Sequence, residues 1–496
     1  MFYIFTCIVL LIPVIVLGGL RIYVDFRNGH GLTTLFALYF GFVLVDVFIP
    51  ALAMLVTGEM PPKPPYVPVF SREEVAWGGI VGILGFLMVL FGYTVGYGLS
   101  GRRADRVDAT TRVVYTRAMI MLCIMVAVYI ITQLNIINRL GGPLEYFLSM
   151  VKFRRSVFEA NESLSEHANS LVTAIARDTS LGLCAVIFAE RRSLGLKKRA
   201  WLIVGVGLLI SMSTFYRGTI MLYGLMLLAA QQLAVVKFTS AMPREEFERY
   251  RRVRRKQRRN FIRALVVIIT LFSGYGTARS FFGAKEWEVY NYSVWDGFSK
   301  EFNRFTEGAG FYSLVDIVHS FPMEAPFLDG STIANQAVRY IPRSIIPDKP
   351  KNYGAVEITN AMEYPLTGEG VTIPGEAWAN FGFAGLPLVS LFGLLFGYLT
   401  ANRYRGRMQY FFLSMGVSII LAVGWFSFTG FMSWLPSAII MWICVGLITT
   451  RRPAAARVAG GDGFAVSTGG SPFFPAGHAA SYAAVHSSRV IDPAKS

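Results

Sequence analysis

Long apolar runs, each about one bilayer thick, alternate along this chain with short polar links. Roughly twenty apolar residues make a helix that crosses a hydrocarbon core. On that measure the pattern predicts about eleven spans, at 2–20, 32–56, 76–99, 118–136, 169–189, 200–215, 218–236, 262–281, 376–399, 411–428 and 431–449. Of these, 200–215 is short, and 169–189 carries Arg177 and Asp178. One interruption differs from all the others. Residues 282–375 are polar, aromatic and proline-bearing, and include Tyr340-Ile341-Pro342-Arg343-Ser344-Ile345-Ile346-Pro347-Asp348-Lys349-Pro350. The fold class that follows is all-α: a polytopic helical domain over 1–450 with a large external loop. Residues 451–496, rich in Ala, Gly, Ser and Pro, read as a flexible cytoplasmic tail.

Composition agrees, with 54% hydrophobic and 16% charged residues and a mean hydropathy of +0.48. The net charge of +16 is explained by topology, not nucleic acid. The links at 21–27, 102–117, 191–199, 237–263, 403–407 and 451–457 hold about 29 of the 47 Lys and Arg residues; the longer alternate set, 57–75, 137–168, 216–217 and 282–375, holds about 14. The positive-inside rule makes the first set cytoplasmic. The N-terminus and the 282–375 loop are then outside and the C-terminus inside. The basic run Arg244–Arg259 reads as an anchor against anionic headgroups. Cys7, Cys123, Cys184 and Cys444 each lie in an apolar run and read as core or lipid-facing residues. Met1–Leu20 lacks a basic leader and a cleavage site, so it is expected to stay as the first helix.

Chemistry is sought where polar residues break the pattern. Arg217, in Ser213-Thr214-Phe215-Tyr216-Arg217-Gly218, is a cation at an external turn. Its planar fork suits a phosphate, and the alternative is an arginine that merely snorkels at a helix end. Arg339, Arg343 and Lys349, pinned among prolines and with Arg304 upstream, offer a diphosphate pocket, against ordinary pairing with Asp348, Glu357 or Glu363. Arg177 and Asp178 lie at membrane depth, where charge is costly, and as helix neighbours about 100° apart they are not expected to pair directly. Asp46 repeats that argument. His319 and Asp316, three apart in the amphipathic Gly310–Phe321 stretch beside Glu307 and Glu324, are candidate proton acceptors at the interface. No cluster shows metal-ligand spacing, and neither metal nor cofactor is expected.

These residues resemble bacterial O-antigen and exopolysaccharide repeat-unit polymerases of the Wzy type. The resemblance rests on the Ser/Thr-x-x-x-Arg-Gly turn, the Ile-Pro-Arg-x-x-x-Pro-x-Lys-Pro segment, and Gly375-Glu376-Ala377-Trp378-Ala379-Asn380-Phe381-Gly382-Phe383-Ala384-Gly385. It is most evident over residues 200–400. It implies a GT-C-like glycosyltransferase bundle in the bacterial inner membrane. Such an enzyme moves a glycan from one undecaprenyl diphosphate carrier to another lipid-linked repeat, alongside membrane lipids and a chain-length regulator. It also implies catalytic roles for Arg217 and Arg343, with Arg339 as helper and His319 or Glu376 as base. The expected span count is one short of the family's usual number. An external site has no ATP, so the energy of transfer arrives in the diphosphate bond of the donor.

Two rivals share parts of this pattern. An O-antigen ligase uses the same donor and passes the glycan to a lipid A core. A flippase or transporter for lipid-linked sugar needs charges spread along several spans, whereas here they concentrate in external loops, with no inverted pair of broken helices.

Overall fold

The structure is a computed structural model. It describes residues 2–27, 35–57, 70–100, 111–139, 141–146, 171–191, 194–196, 199–214, 217–240, 270, 309–338, 341, 345–346, 348, 350, 354–362 and 371–451. Of these, 86% are helical. The expected span 262–281 apart from Thr270, the basic run 244–259, the loop residues 282–308 and the tail beyond Arg451 lie outside the described residues. The chain divides into two compact units, Met1–Thr450 and Arg451–Ser496.

The first unit begins with α1 (Phe2–Arg27), α2 (Leu35–Val43), a π-helical turn at Leu44–Phe48 and α3 (Ile49–Thr57). The second apolar run is therefore helical but broken in pitch, at Asp46. Next come α4 (Arg72–Leu99), α5 (Tyr115–Arg139), α6 (Leu171–Ala189), α7 (Arg199–Ser213) and α8 (Arg217–Ser240). Beyond residue 308 lie α9 (Ala309–Met323), α10 (Ser331–Val338), α11 (Ala355–Ala361) and α12 (Ile373–Phe381). They are followed by a 3₁₀ stretch at Gly382–Val389, α13 (Ser390–Asn402), α14 (Met408–Phe411) and α15 (Val417–Ile448). The one departure from all-helical structure among the described residues is a two-stranded ladder of β1 (Thr111–Val113) with β2 (Thr449–Arg451).

Among the described residues six helical stretches are long and apolar enough to cross a membrane: 4–24, 72–99, 115–139, 171–189, 373–402 and 430–448; Arg199–Ser213 and Thr219–Gln231 are shorter apolar helices. Six of the expected eleven thus have a counterpart of that length among the described residues, and the full count is not tested by them.

Helix α4 packs against α1, α3, α9, α12 and α13. A capping box starts it: Ser71 Oγ accepts from the Glu74 amide at 3.3 Å, and the Glu74 carboxylate accepts from the Ser71 amide at 2.5 Å. Farther along, Gly92 and Gly96 meet Gly393 and Gly397 of α13, a small-xxx-small contact made by both helices. A Cβ on Gly92 would fall 1.9 Å from Ser390 O and one on Gly96 2.1 Å from Leu394 O, so only glycine permits this approach. Both contacts advance in the same direction, so α4 and α13 run parallel.

The expected span 376–399 is not one straight rod. Pro374 packs at Gly85 of α4 while Trp378 meets Trp77 at 6.5 Å, so α12 climbs toward the start of α4. Gly382, at φ +57°, reverses the chain, and a Cβ on Gly385 would sit 2.1 Å from Ala377 O. The 3₁₀ stretch and α13 then descend. Helix α15 is likewise not straight. Phe411 and Trp442 meet edge to face at 5.3 Å, and Gly182 is approached by both Ser414 and Met441. A straight helix would separate positions 411 and 442 by about 46 Å, so the chain folds back between them.

Described residues that flank the cation-rich links meet at one end of the bundle. Arg21 lies over Tyr97 at 5.2 Å, Arg405 donates to Ser100 O, and Arg117 donates to Leu447 O. Tyr410 Oη lies 2.9 Å from Glu190 Oε1 and 3.3 Å from Thr111 O, with one hydrogen to share between them, and Arg191 donates to Gln231. Described residues that flank the alternate links meet at the opposite end, His319 with Glu74 and Tyr146 with Ser213.

Candidate functional site

A buried polar seam joins four helices at the cation-poor end. On α12, Glu376 and Asn380 are one turn apart and face α10, while Pro374 and Trp378 face α4 and α9. Glu376 is fully buried and its Oε1 accepts from Thr332 Oγ1 at 2.8 Å. Asn380 Nδ2 donates to Thr332 Oγ1 and to Glu376 O, both at 2.8 Å. One turn along α10, Gln336 Nε2 donates to Ser433 Oγ of α15 at 2.9 Å. One turn along α15, Ser437 Oγ donates to Asp178 Oδ2 of α6 at 3.2 Å. Asp178 Oδ1 accepts from Arg177 Nε at 2.7 Å, and the Arg177 guanidinium lies 5.9 Å from the Trp434 ring centre. On the other face of α10, Glu357 of α11 accepts from Ser331 Oγ and from Asn335 Nδ2, the latter at 3.0 and 3.1 Å.

The Arg177–Asp178 contact corrects the expectation that these neighbours do not pair. Asp178 is 2% exposed and Arg177 22%. A carboxylate buried that far needs donors. The long arginine stem spans the angular offset that keeps shorter neighbours apart, and its Nε closes the bond.

The Gly310–Phe321 stretch, expected to lie in the interface or to re-enter the membrane, forms part of α9 and is buried nearly all round, with Val315 against Gly78 and Leu314 against Gly82 of α4. Asp316 is buried within it, while His319 reaches the rim. There His319 Nδ1 is 2.8 Å from Glu74 Oε1 and its Nε2 is 3.5 Å from Glu324 Oε1. Phe70 meets the imidazole edge-on. Each ring nitrogen of His319 thus faces a carboxylate oxygen.

Helix α7 ends at Ser213 and α8 begins at Arg217, so three residues make the turn. Two tyrosines brace it. Tyr129 Oη and Ser213 Oγ are 2.8 Å apart, and Tyr146 Oη lies 3.0 Å from both Ser213 O and Gln133 Oε1, with one hydrogen to share between them. The Arg217 side chain, together with Arg304, Arg339, Arg343 and Lys349, lies outside the described residues. The segment bearing Arg339 and Arg343 leaves directly from the end of α10, where the Ile341 amide donates to Val338 O at 3.0 Å.

The structure thus brings Arg177 and Glu376 into one seam and sets His319 apart from it, on the α4 side. It adds residues the sequence reading passed over: Thr332, Gln336, Asn380, Ser433, Ser437 and Trp434. A signal for them exists. Thr332 and Gln336, Ser433 and Ser437, and Glu376 and Asn380 are each polar pairs four apart, so each pair shares one face of its helix. Comparison with known proteins returns no match to a family model, a curated protein or a solved structure.

Proposed function

We propose that this protein is a membrane glycosyltransferase of the repeat-unit polymerase type, acting on undecaprenyl diphosphate-linked oligosaccharide at the outer face of the bacterial inner membrane. The observation that carries the reading is the grouping of polar chemistry at one end of the bundle. The seam holding Arg177 and Glu376, the braced end of α7 at Ser213 and the end of α10 lie away from the described residues that flank the cation-rich links. If the cation-rich end is cytoplasmic, as the charge rule requires, the polar end meets substrates that have already crossed.

In the reaction an acceptor sugar hydroxyl attacks the anomeric carbon of the donor glycan. The bond from that carbon to the carrier's phosphate oxygen breaks, and undecaprenyl diphosphate leaves with the electron pair. Arg217 and Arg343, helped by Arg339, Lys349 and Arg304, stabilise the negative charge that grows on the leaving group. Removing one preorganised donor of this kind costs about 3 kcal/mol in the barrier. The hydroxyl proton goes to Glu376. His319, placed between Glu74 and Glu324, is assigned to holding α9 against α4.

The test is glycan length in cells that lack the native gene and carry either the wild-type chain or Arg217→Ala. The proposal expects long polymer with the first and single repeats with the second, at equal membrane abundance. Polymer of normal length with Arg217→Ala removes that residue from the site. Polymer of normal length that stays on its carrier and fails to reach lipid A points to the ligase, and lipid-linked repeats trapped inside the cell point to the flippase.

A further inference from the structure

At the cation-rich end, where α13 passes into α14, five buried polar atoms of Thr400, Arg403 and Gln409 have no hydrogen-bond partner among the described residues. Cations that follow a membrane span normally lay their stems along apolar surface and keep the charge in water. Arg407 of the same link is exposed, and Arg405 donates to Asn402 Oδ1 and Ser100 O. Arg403 follows neither pattern. It is the first residue after the span 373–402 and is only 4% exposed. Its Nη1 donates to Thr400 O at 2.8 Å, and its guanidinium carbon lies 4.6 Å from the Tyr404 ring centre. Nε and Nη2 are buried without an acceptor. These two nitrogens form the side-on edge of the group. Their N–H bonds point the same way and match two oxygens of one phosphate or carboxylate. A buried cation without a counter-charge is costly, and buried polar groups are nearly always met by protein, water or a bound ion. Thr400, whose carbonyl holds the guanidinium, has its own Oγ1 unpartnered, and so are Nε2 and Oε1 of Gln409. A set of donors with a fixed positive charge and no carboxylate suits an oxyanion.

We propose that Arg403, with Thr400 and Gln409, binds a phosphate group at the cation-rich end of the bundle, two of its oxygens on the Nε–Nη2 edge. A lipid headgroup and free phosphate present the same oxygens. The place of Arg403 directly after a span sets it near headgroup depth. The edge is sealed from solvent, so admitting the anion parts the side chains that now cover it. A charge-assisted bond made away from water is correspondingly strong. The inference stands apart from the glycosyltransferase reading, and neither depends on the other.

The experiment uses full-length protein, freed of lipid in a maltoside detergent, and follows its unfolding midpoint. One arm adds inorganic phosphate; the other adds phosphatidylglycerol, with phosphate-free diacylglycerol as its control. A ligand of the folded state raises the midpoint. A rise with inorganic phosphate identifies the free anion as a ligand, and a rise with phosphatidylglycerol alone identifies the headgroup. Arg403→Met, which keeps the stem and removes the charge, should weaken the response by roughly tenfold or more. Arg403→Lys should weaken it about as much, because an ammonium offers no side-on pair. Arg407→Gln, at the exposed cation of the same link, should leave it unchanged. With no ligand added, Arg403→Met should unfold no earlier than wild type, since it removes an unpaired buried charge. Thr400→Val keeps shape and should weaken the response severalfold, which decides the matter if Arg403→Met does not fold. Wild-type protein that answers neither phosphate nor phosphatidylglycerol beyond the diacylglycerol control overturns the proposal. So does a full response in Arg403→Met or Thr400→Val, or an equal loss in Arg407→Gln.

Discussion

Alanine placed at Gly96 and alanine placed at Gly98 should move stability in opposite directions, although both sites lie in the last turns of α4. At Gly98 a Cβ meets nothing within 4 Å. Replacing a helical glycine there should stabilise by roughly 0.5–1 kcal/mol, because glycine loses more backbone freedom on folding. At Gly96 the same atom would lie 2.1 Å from Leu394 O and 2.8 Å from Leu394 C, both backbone atoms that cannot rotate away. Ordinary contact begins near 3.4 Å, so α4 and α13 must part by about 1 Å along their whole glycine seam. Gly92, Gly393 and Gly397 share that seam, with Cβ approaches of 1.9, 2.1 and 2.2 Å to backbone oxygens. Overpacking of this kind costs about 1–3 kcal/mol, and the helix-propensity gain offsets only part of it. Unfolding midpoints of the two purified variants in detergent, measured against wild type, give the comparison directly. Equal stabilisation by Gly96→Ala and Gly98→Ala would refute the parallel glycine contact and the packing register built on it.

The seam gives further expectations. Thr332→Val keeps side-chain volume but removes the hydroxyl between Glu376 and Asn380, stranding buried polar atoms. It should destabilise by about 2–4 kcal/mol in the same unfolding assay. Glu376→Gln can still accept from Thr332 and should remain folded, but it should lose glycan elongation in cells. His319→Gln removes only partly exposed ion pairs worth about 1 kcal/mol or less, and polymer length should be retained. Loss of elongation in a folded His319→Gln would return that residue to the chemistry.

Much of the helical layout was legible in the apolar runs, and the charge pattern separated the two ends that the structure groups through Arg21, Arg405 and Tyr410 on one side and His319 and Tyr146 on the other. Reversals inside an apolar stretch were not legible. Hydropathy measures lipid preference, not direction, so 376–399 reads as one span although Gly382 turns it back. The burial of α9 was hidden for a related reason. His319 and Asp316 suggested a wet face, but a helix in contact with Gly78 and Gly82 is enclosed by neighbours, not by water. The Arg177–Asp178 pair was missed because backbone angles describe where a Cβ points and not how far an arginine reaches. Glu376 and Asn380 belong to one quoted motif on one helix, whereas their partner Thr332 needed the pairing of two helices apart in sequence.

The role assigned to the arginines is tested most directly by reconstitution. Purified protein in liposomes receives undecaprenyl diphosphate-linked repeat units, and product length is read by mass spectrometry. Wild-type protein should yield carrier-linked glycans of several repeats together with released undecaprenyl diphosphate, and Arg217→Ala and Arg343→Ala should yield neither. Repeats left at their input length by the wild-type chain, or normal elongation by both arginine variants, would contradict the account.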